Sequence, residues 1–327
     1  MGFVLVLIYV ALLFFRPMEW VPGLIGVPIV DYVAVLAIVA SLFTLATGSW
    51  TTKRAPQHFL MVGFLVAIAM SHVRHTYFEA FLNSLESFGK IVLLYFIIVI
   101  NTGTLRRLKI LIAVMILGCL FLSLHGILQW HTGSGFGGQP PLRIAYYGET
   151  RVQAYGVFND PNDLALMLIT VLPFVLNGIH RRGAAPPTRL LSLIFGSAML
   201  YCIFRTNSRG GWLALGAMLM AYFGVTLSKK KLGIVLGICA ILALFALAPS
   251  RMQTATTEES SARGRLIAWA DGNRMLKQWP VFGAGYNRFI DHSEDGKVAH
   301  NSFVHCYAEL GLFGYFFWIA LLAASLK

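Results

Sequence analysis

The fold is decided by long stretches without charge, and the clearest of them is residues 110–130, ILIAVMILGCLFLSLHGILQW. A helix needs roughly 17–25 mainly apolar residues to cross a hydrocarbon core about 30 Å thick. Other stretches of this kind recur along the 327 residues, and only 12% of the chain is charged. That share is about half of what a soluble domain carries. These features predict an all-α polytopic membrane protein.

We predict about ten transmembrane helices, with a large periplasmic loop at about residues 250–302 before the last one. A shorter loop rich in glycine and proline is predicted at about 131–161. The N-terminal segment Gly2–Phe15 is expected to be a retained span rather than a cleaved signal peptide, because no small-residue cleavage site follows it. The predicted spans are 3–15, 29–47, 58–73, 88–101, 107–130, 162–179, 189–205, 210–228, 231–249 and 303–326.

Part of the large loop is expected to be helical. Apolar residues between Gly264 and Trp279 recur at helical spacing, and two serines precede them as candidate N-caps. Its polar side would carry Arg265, Asp271, Arg274 and Lys277. Two tryptophans on such a helix favour a position in the membrane interface.

The net charge of +12 is explained by topology. With the N-terminus in the cytoplasm, the inside loops hold twelve basic residues and no acidic one, and all fourteen carboxylates fall in or beside the outside loops. The positive-inside rule therefore predicts a multi-pass protein of the inner membrane with its long loops in the periplasm. We expect no nucleic-acid partner, because the basic residues serve this topology.

Metal and cofactor chemistry is not expected. The four cysteines are far apart in sequence and form no CxxC motif, which favours buried small apolar residues over a disulfide framework or a zinc site. The HEXXH and Walker patterns are also absent. We therefore predict no metal and no cofactor.

Two polar segments flank predicted spans on the outside. In residues 151–163, Arg151 precedes Asn162 in a run of Asn and Asp around a proline, and this pattern is compatible with helix capping as well as with function. In residues 205–212, Arg209 lies beside two glycines between two spans joined by almost no loop. Its side chain could reach lipid headgroups, or it could bind a phosphate together with the nearby backbone.

Two further segments belong to the large loop and the last span. Arg263 and Arg265 lie at a predicted helix N-terminus, where positive charge is disfavoured unless an anion binds. His300 and Asn301 lie where the last span enters the membrane. Glu309 lies about 13 Å deeper, at 1.5 Å per residue, and needs a partner there, either structural or substrate.

The order of six short motifs resembles the O-antigen ligase-like superfamily. This superfamily includes lipopolysaccharide O-antigen ligases, O-antigen polymerases and bacterial O-oligosaccharyltransferases. The motifs are GVFNDPN (156–162), NSRGG (207–211), GRLIAW (264–269), WPVFGAGY (279–286), HNSF (300–303) and ELGLFG (309–314). The resemblance covers about residues 150–320. It divides the chain into residues 1–149, with transmembrane helices 1–5 and the first periplasmic loop, and residues 150–327, the O-antigen ligase-like region that includes loop 250–302.

The resemblance implies a metal-independent, inverting transfer of a glycan from a polyprenyl diphosphate, in bacteria undecaprenyl diphosphate. The acceptor would be a lipid A-core sugar, another lipid-linked glycan or a protein hydroxyl, and membrane lipids would surround the site. By resemblance His300 would be the general base. Arg209 and Arg265 would bind the diphosphate, with Arg263 and Arg151 as weaker candidates, and the orienting groups would be Asn162, Asn301 and Glu309.

Three alternatives stay open from the sequence. Ligase, polymerase and protein-glycosylating forms share the donor and differ in the acceptor. A transporter of lipid-linked glycans would need charges lining a path through the spans, whereas here they cluster on one side. A non-catalytic scaffold is the third alternative. Members of the superfamily usually have one or more spans after the histidine-containing helix, and this chain ends at Lys327. We therefore expect either a short member or an incomplete C-terminus.

Overall fold

The computed structural model describes residues 1–48, 55–144, 149–181, 183–226, 235, 237–238 and 260–326. Ten α-helices have bounds within these residues. They are α1 (Gly2–Phe15), α2 (Ile29–Ala46), α3 (Pro56–Val73), α4 (Phe78–Asn101), α5 (Leu105–Thr132), α6 (Pro161–His180), α7 (Pro186–Arg205), α8 (Arg209–Thr226), α9 (Ser260–Gln278) and α10 (Ser302–Ser325). The predicted span 231–249 lies almost wholly outside the described residues.

Eight segments of the described residues are long and apolar enough to cross a membrane: Gly2–Glu19, which extends α1, and α2 to α7 together with α10. The sheet described is a single antiparallel pair, β1 (Leu142–Ile144) with β2 (Glu149–Arg151). The predicted all-α, multi-pass architecture is therefore confirmed.

Helix α4 begins ten residues before the predicted span 88–101. The prediction began too late because Glu86 ends the apolar stretch just before residue 88, and Lys90 lies within the predicted span. The helix tolerates them because they are one turn apart and form an exposed ion pair, with 2.8 Å between Lys90 Nζ and Glu86 Oε1.

Contacts divide the chain into two compact units, of which the first comprises Met1–Phe43 and Thr104–Thr254. Within it α5 packs against α1, α6 and α7, and α6 packs against α8. Small residues bring these helices close together. A side chain at Gly126 would overlap Cys202, and one at Gly118 would overlap Phe14.

The loop that follows α5 is anchored to that helix by two buried polar side chains. His125 accepts a hydrogen bond from the Phe136 amide through Nδ1 (3.1 Å), and its Nε2 lies 2.9 Å from Gln139 Oε1. Gln129 donates to the Gln139 carbonyl (3.2 Å) and accepts from the Gln153 amide (2.9 Å). These bonds hold the residues just before β1 and just after β2 against α5.

The second unit comprises Thr44–Gly103 and Ala255–Lys327. Its helix α3 packs against α4 and α10, and α9 packs against α10. Between α9 and α10 lies an apolar core of small and large side chains, formed by Ala268, Met275, Ala284, Phe289, Ala299, Val304 and Ala308.

Helix α10 is broken at Gly311, which has φ 62° and ψ −168°. Near this break the segment Pro280–Gly285 pairs with the helix. The Leu312 amide donates to the Pro280 carbonyl (2.8 Å), and the Gly285 amide donates to the Glu309 carbonyl (3.0 Å). The predicted span 303–326 is confirmed as α10. The break requires a glycine, because a side chain at Gly311 would overlap the Val281 carbonyl.

The helix predicted in the large loop is confirmed as α9, which begins at Ser260, four residues before the predicted start. Asp271 was wrongly placed on its exposed polar side. It is buried, pairs with Arg274 (2.9 Å) and accepts a hydrogen bond from the Glu294 amide (3.0 Å). Trp269 donates to the Ala299 carbonyl (2.9 Å). The position of α9 in the membrane interface stays a prediction.

Candidate functional site

In the first unit the candidate residues surround the turn between α7 and α8. Asn207 adopts the left-handed conformation with φ 48°, which Asn tolerates better than most residues. Its side-chain Nδ2 donates to the Thr150 carbonyl (3.2 Å). Ser208 caps α8 by accepting from the Gly211 amide (3.0 Å). The turn is therefore fixed both to β2 and to the start of α8.

Arg151 and Asn162 are brought together behind this turn. Arg151 is 9% exposed, and it donates through Nε to the Thr206 carbonyl (2.8 Å) and through Nη2 to Asn162 Oδ1 (3.0 Å). The same Asn162 oxygen accepts from Ser208 Oγ (2.7 Å). The first two predicted segments thus form one hydrogen-bonded cluster, in which sequence reasoning missed Thr206 and Ser208.

Arg209 is the first residue of α8 and is half-buried. The two glycines after it have different roles. A Cβ at Gly211 would lie 2.9 Å from that of Ala165, so Gly211 allows α8 to pack closely on α6. A Cβ at Gly210 would meet nothing nearer than Ser208 Oγ at 4.0 Å. The N-terminus of α8 is therefore open beside an arginine, an arrangement that favours an anion.

The start of α6 shows that the 151–163 segment has capping roles. Asp160 caps the helix by accepting from the Asn162 amide (2.6 Å), and Pro161 occupies the first helical position. Upstream, the Gly156 amide donates to Glu19 Oε2 (3.0 Å), and Glu19 forms an ion pair with Arg16. The capping interpretation of this segment is thus confirmed for Asp160, and Asn162 has the additional contacts given above.

In the second unit His300 lies on the turn that leads into α10. Its side chain is exposed and its backbone is left-handed, with φ 47°. The turn is fixed on both sides, because the Ala299 carbonyl accepts from Trp269 and because Asn301 caps α10 by accepting from the Phe303 amide (3.0 Å). Over the described ranges, no hydrogen bond or ion pair involves the His300 ring, which is therefore held in place and accessible.

Glu309 is 4% exposed, and its carboxylate is fully engaged. It accepts from the amides of Asn287 (2.8 Å) and Phe289 (2.9 Å), and its Oε1 lies 3.0 Å from His305 Nε2. These partners explain how a carboxylate is tolerated at this depth. Sequence reasoning missed His305, although its spacing of four residues from Glu309 is the signal for an intrahelical pair.

Arg263 and Arg265 are both exposed on the first turns of α9, on either side of the buried Gly264. Residues two apart on a helix do not face each other. The two guanidinium groups are therefore spread around the helix, and we do not expect both to hold one small anion from within this helix.

The WPVFGAGY segment has a structural role of its own. The Trp279 ring contacts the rings of His75 and His292, with centroid distances of 5.2 and 4.7 Å. His75 Nε2 also lies 3.1 Å from the Gly283 carbonyl. Burial lowers the pKa of His292, against the opposing effect of the neighbouring Asp291 carboxylate.

The fold defines a multi-pass membrane protein with polar clusters at helix ends. Residues 194–319 match the family model described as O-antigen ligase. This range contains five of the six motifs, and with them Arg209, Arg263, Arg265, His300, Asn301 and Glu309. The match confirms the resemblance of the chain to the O-antigen ligase-like superfamily and supports glycosyl transfer of the ligase or polymerase type. No curated protein and no solved structure matches the chain.

Proposed function

We propose that this protein transfers a glycan from a polyprenyl diphosphate to an acceptor hydroxyl at the periplasmic face of the bacterial inner membrane. The observation that carries the proposal is the family match over residues 194–319, because this range holds both the arginine beside the open start of α8 and the accessible His300. We favour a ligase with a lipid A-core acceptor. Polymerization and protein glycosylation would use the same donor.

The diphosphate is assigned to Arg209 and Arg265. As the glycosidic bond to the carrier breaks, the departing diphosphate gains negative charge. Guanidinium groups suit this anion because they donate two parallel hydrogen bonds to phosphate oxygens. Donors that are already in place stabilise the transition state without reorganisation. Backbone amides at the open start of α8 would add hydrogen-bond donors for the same anion.

His300 is assigned as the general base. The acceptor oxygen forms a bond to the anomeric carbon while the bond from that carbon to the diphosphate oxygen breaks, and the diphosphate leaves with the bonding electrons. The proton of the acceptor hydroxyl passes to the imidazole of His300. A positioned base contributes about 10²–10⁴-fold to such a step. One displacement of this kind inverts the anomeric centre, and no metal takes part.

The remaining residues are assigned to positioning. Arg151 is buried and bridges Thr206 and Asn162, so we assign both Arg151 and Asn162 to holding the Arg209 turn rather than to direct contact with the diphosphate. Asn301 fixes the turn that carries His300, and Glu309 fixes the loop that follows α9. Arg263 would contribute positive charge near the donor.

The test is the surface-glycan profile of a host strain that lacks this protein and is complemented with variants at equal membrane level. The wild type should restore the profile and His300→Ala should not. His180→Ala serves as the matched control, because His180 is an exposed histidine at the end of α6 away from Asn162. Single repeat units would indicate a polymerase, and long lipid-linked chains beside an undecorated acceptor would indicate a ligase. Full restoration by His300→Ala would favour a transporter or a scaffold.

A further inference from the structure

Arg205, the last residue of α7, is held by aromatic rings. Its guanidinium carbon lies 4.1 Å from the ring centroid of Trp130, 4.9 Å from that of Tyr201 and 5.2 Å from that of Phe204. Trp130 belongs to the last turns of α5, so the contact joins two neighbouring helices of one unit. Contacts with several aromatic faces fix the plane of the guanidinium.

The backbone around Arg205 is fixed as well. The Arg205 carbonyl accepts from the Val152 amide (3.2 Å), and the next carbonyl, that of Thr206, accepts from Arg151. Arg205 therefore belongs to the same ordered turn as Arg209, although it was not among the predicted site residues. The sequence places the two arginines only four positions apart.

Within the part of the chain that the structure describes, the guanidinium of Arg205 has no hydrogen-bond acceptor. Its Nε is buried without a partner, and across the described ranges no hydrogen bond or ion pair involves the side chain. A guanidinium has five N–H donors. Arg205 is half-buried, and a buried donor such as its Nε is costly unless it is paired. The aromatic rings contact the faces of the guanidinium, whereas its N–H donors lie in the guanidinium plane and stay unpaired. An oxyanion is the partner that can accept two of these N–H groups at once.

The rim of the site offers a further polar pair. Tyr201 stacks on His131 with an interplanar angle of 6°, and the Tyr201 hydroxyl lies 2.9 Å from His131 Nε2. His131 is exposed. The arrangement combines a fixed cation with polar groups at its edge.

We propose that Arg205 is a further oxyanion-binding residue, which takes a phosphate of the lipid-linked diphosphate donor. This inference rests on the proposed function, because it assigns Arg205 to the same donor as Arg209. The shared chemistry is a phosphate oxyanion, and a phospholipid headgroup is the other source of one at a membrane surface.

The test measures binding of farnesyl diphosphate, a short polyprenyl diphosphate, to the full chain in phosphatidylcholine nanodiscs by isothermal titration calorimetry. Hydrogen bonds to a charged group are worth enough for about a 10–100-fold loss of affinity on Arg205→Gln. Arg205→Lys keeps the charge without the planar fork, so it should lose less. Arg189→Gln, at the exposed opposite end of α7, is the matched control and should bind as the wild type.

Arg209→Gln distinguishes failure of the Arg205 proposal from failure of the diphosphate assignment in the proposed function. If both Arg205→Gln and Arg209→Gln weaken binding, the proposal is supported. If only Arg209→Gln does, Arg205 is structural and the proposal is overturned while the proposed function stands. If neither does, the diphosphate assignment of the proposed function fails as well. Should Arg205→Gln not fold, Arg205→Lys with unchanged affinity overturns the proposal.

A second arm distinguishes the source of the oxyanion. Nanodiscs that contain phosphatidylglycerol are compared with pure phosphatidylcholine, and lipid retained by the purified protein is quantified. Loss of retained phosphatidylglycerol in Arg205→Gln, with farnesyl diphosphate binding unchanged, would assign Arg205 to a lipid headgroup and overturn its assignment to the donor.

Discussion

Replacing Glu309 tests whether its carboxylate is a structural group or a substrate contact. The carboxylate accepts two backbone amides, those of Asn287 and Phe289, and contacts His305. A hydrogen bond to a charged group contributes about 1.5–3 kcal/mol. Glu309→Gln keeps one acceptor oxygen and turns an NH₂ group toward the other donor. We therefore expect it to lower the free energy of unfolding by about 2–3 kcal/mol. Glu309→Ala leaves all three donors unpaired, and the expected loss is about 3–5 kcal/mol.

The assay is equilibrium unfolding in mixed micelles with increasing SDS, followed by tryptophan fluorescence. Glu294→Gln is the matched control, because this side chain is 63% exposed and forms a surface ion pair with Arg274. Its effect should stay below about 1 kcal/mol. If Glu309→Gln unfolded like the wild type but abolished glycan transfer, the carboxylate would be a substrate contact and the structural assignment would be refuted.

Two other predictions concern the second unit. Gly311→Ala should lower the thermal unfolding midpoint for two reasons. The backbone conformation at this position is essentially restricted to glycine and costs any other residue about 1–3 kcal/mol. A methyl group would also overlap the Val281 carbonyl. Gly89→Ala in α4 has open space and should be neutral or stabilising, and equal midpoints for the two variants would contradict the break in α10. Stability should also fall between pH 7 and pH 5. Burial holds the pKa of His292 below 6.5, so the unfolded chain binds more protons in this window. Thermal unfolding at both pH values should show a smaller fall for His292→Gln, and an equal fall would exclude His292 as the cause.

The spans and α9 could be predicted because hydrophobicity and helical spacing are local properties of the sequence. The start of α4 was missed because the charged residues Glu86 and Lys90 lower the local hydropathy, as a loop would. Asp271 was misplaced because helical spacing cannot show that the 293–294 segment folds over one side of α9. Its burial depends on hydrogen bonds to residues more than twenty positions away.

The break in α10 had no local signal, because glycine is common in continuous transmembrane helices. Only the approach of Pro280–Gly285 shows why Gly311 is needed. The roles of the candidate arginines and of His300 stay predictions, because the sequence shows only that these residues lie at the edges of predicted spans. The contacts of Arg151 with Asn162 and of Arg205 with Trp130 were not predictable, because they join separate helices and loops.

The most direct test is single-turnover glycan transfer in proteoliposomes, with a lipid-linked oligosaccharide donor and a purified acceptor. We expect His300→Ala to slow transfer about 10²–10⁴-fold while its affinity for farnesyl diphosphate matches the wild type, because the imidazole acts on the acceptor proton and not on the diphosphate. Transfer by His300→Ala at the wild-type rate would contradict the assignment of His300 as the base, and absence of transfer by the wild-type protein with each acceptor class would contradict the proposed reaction.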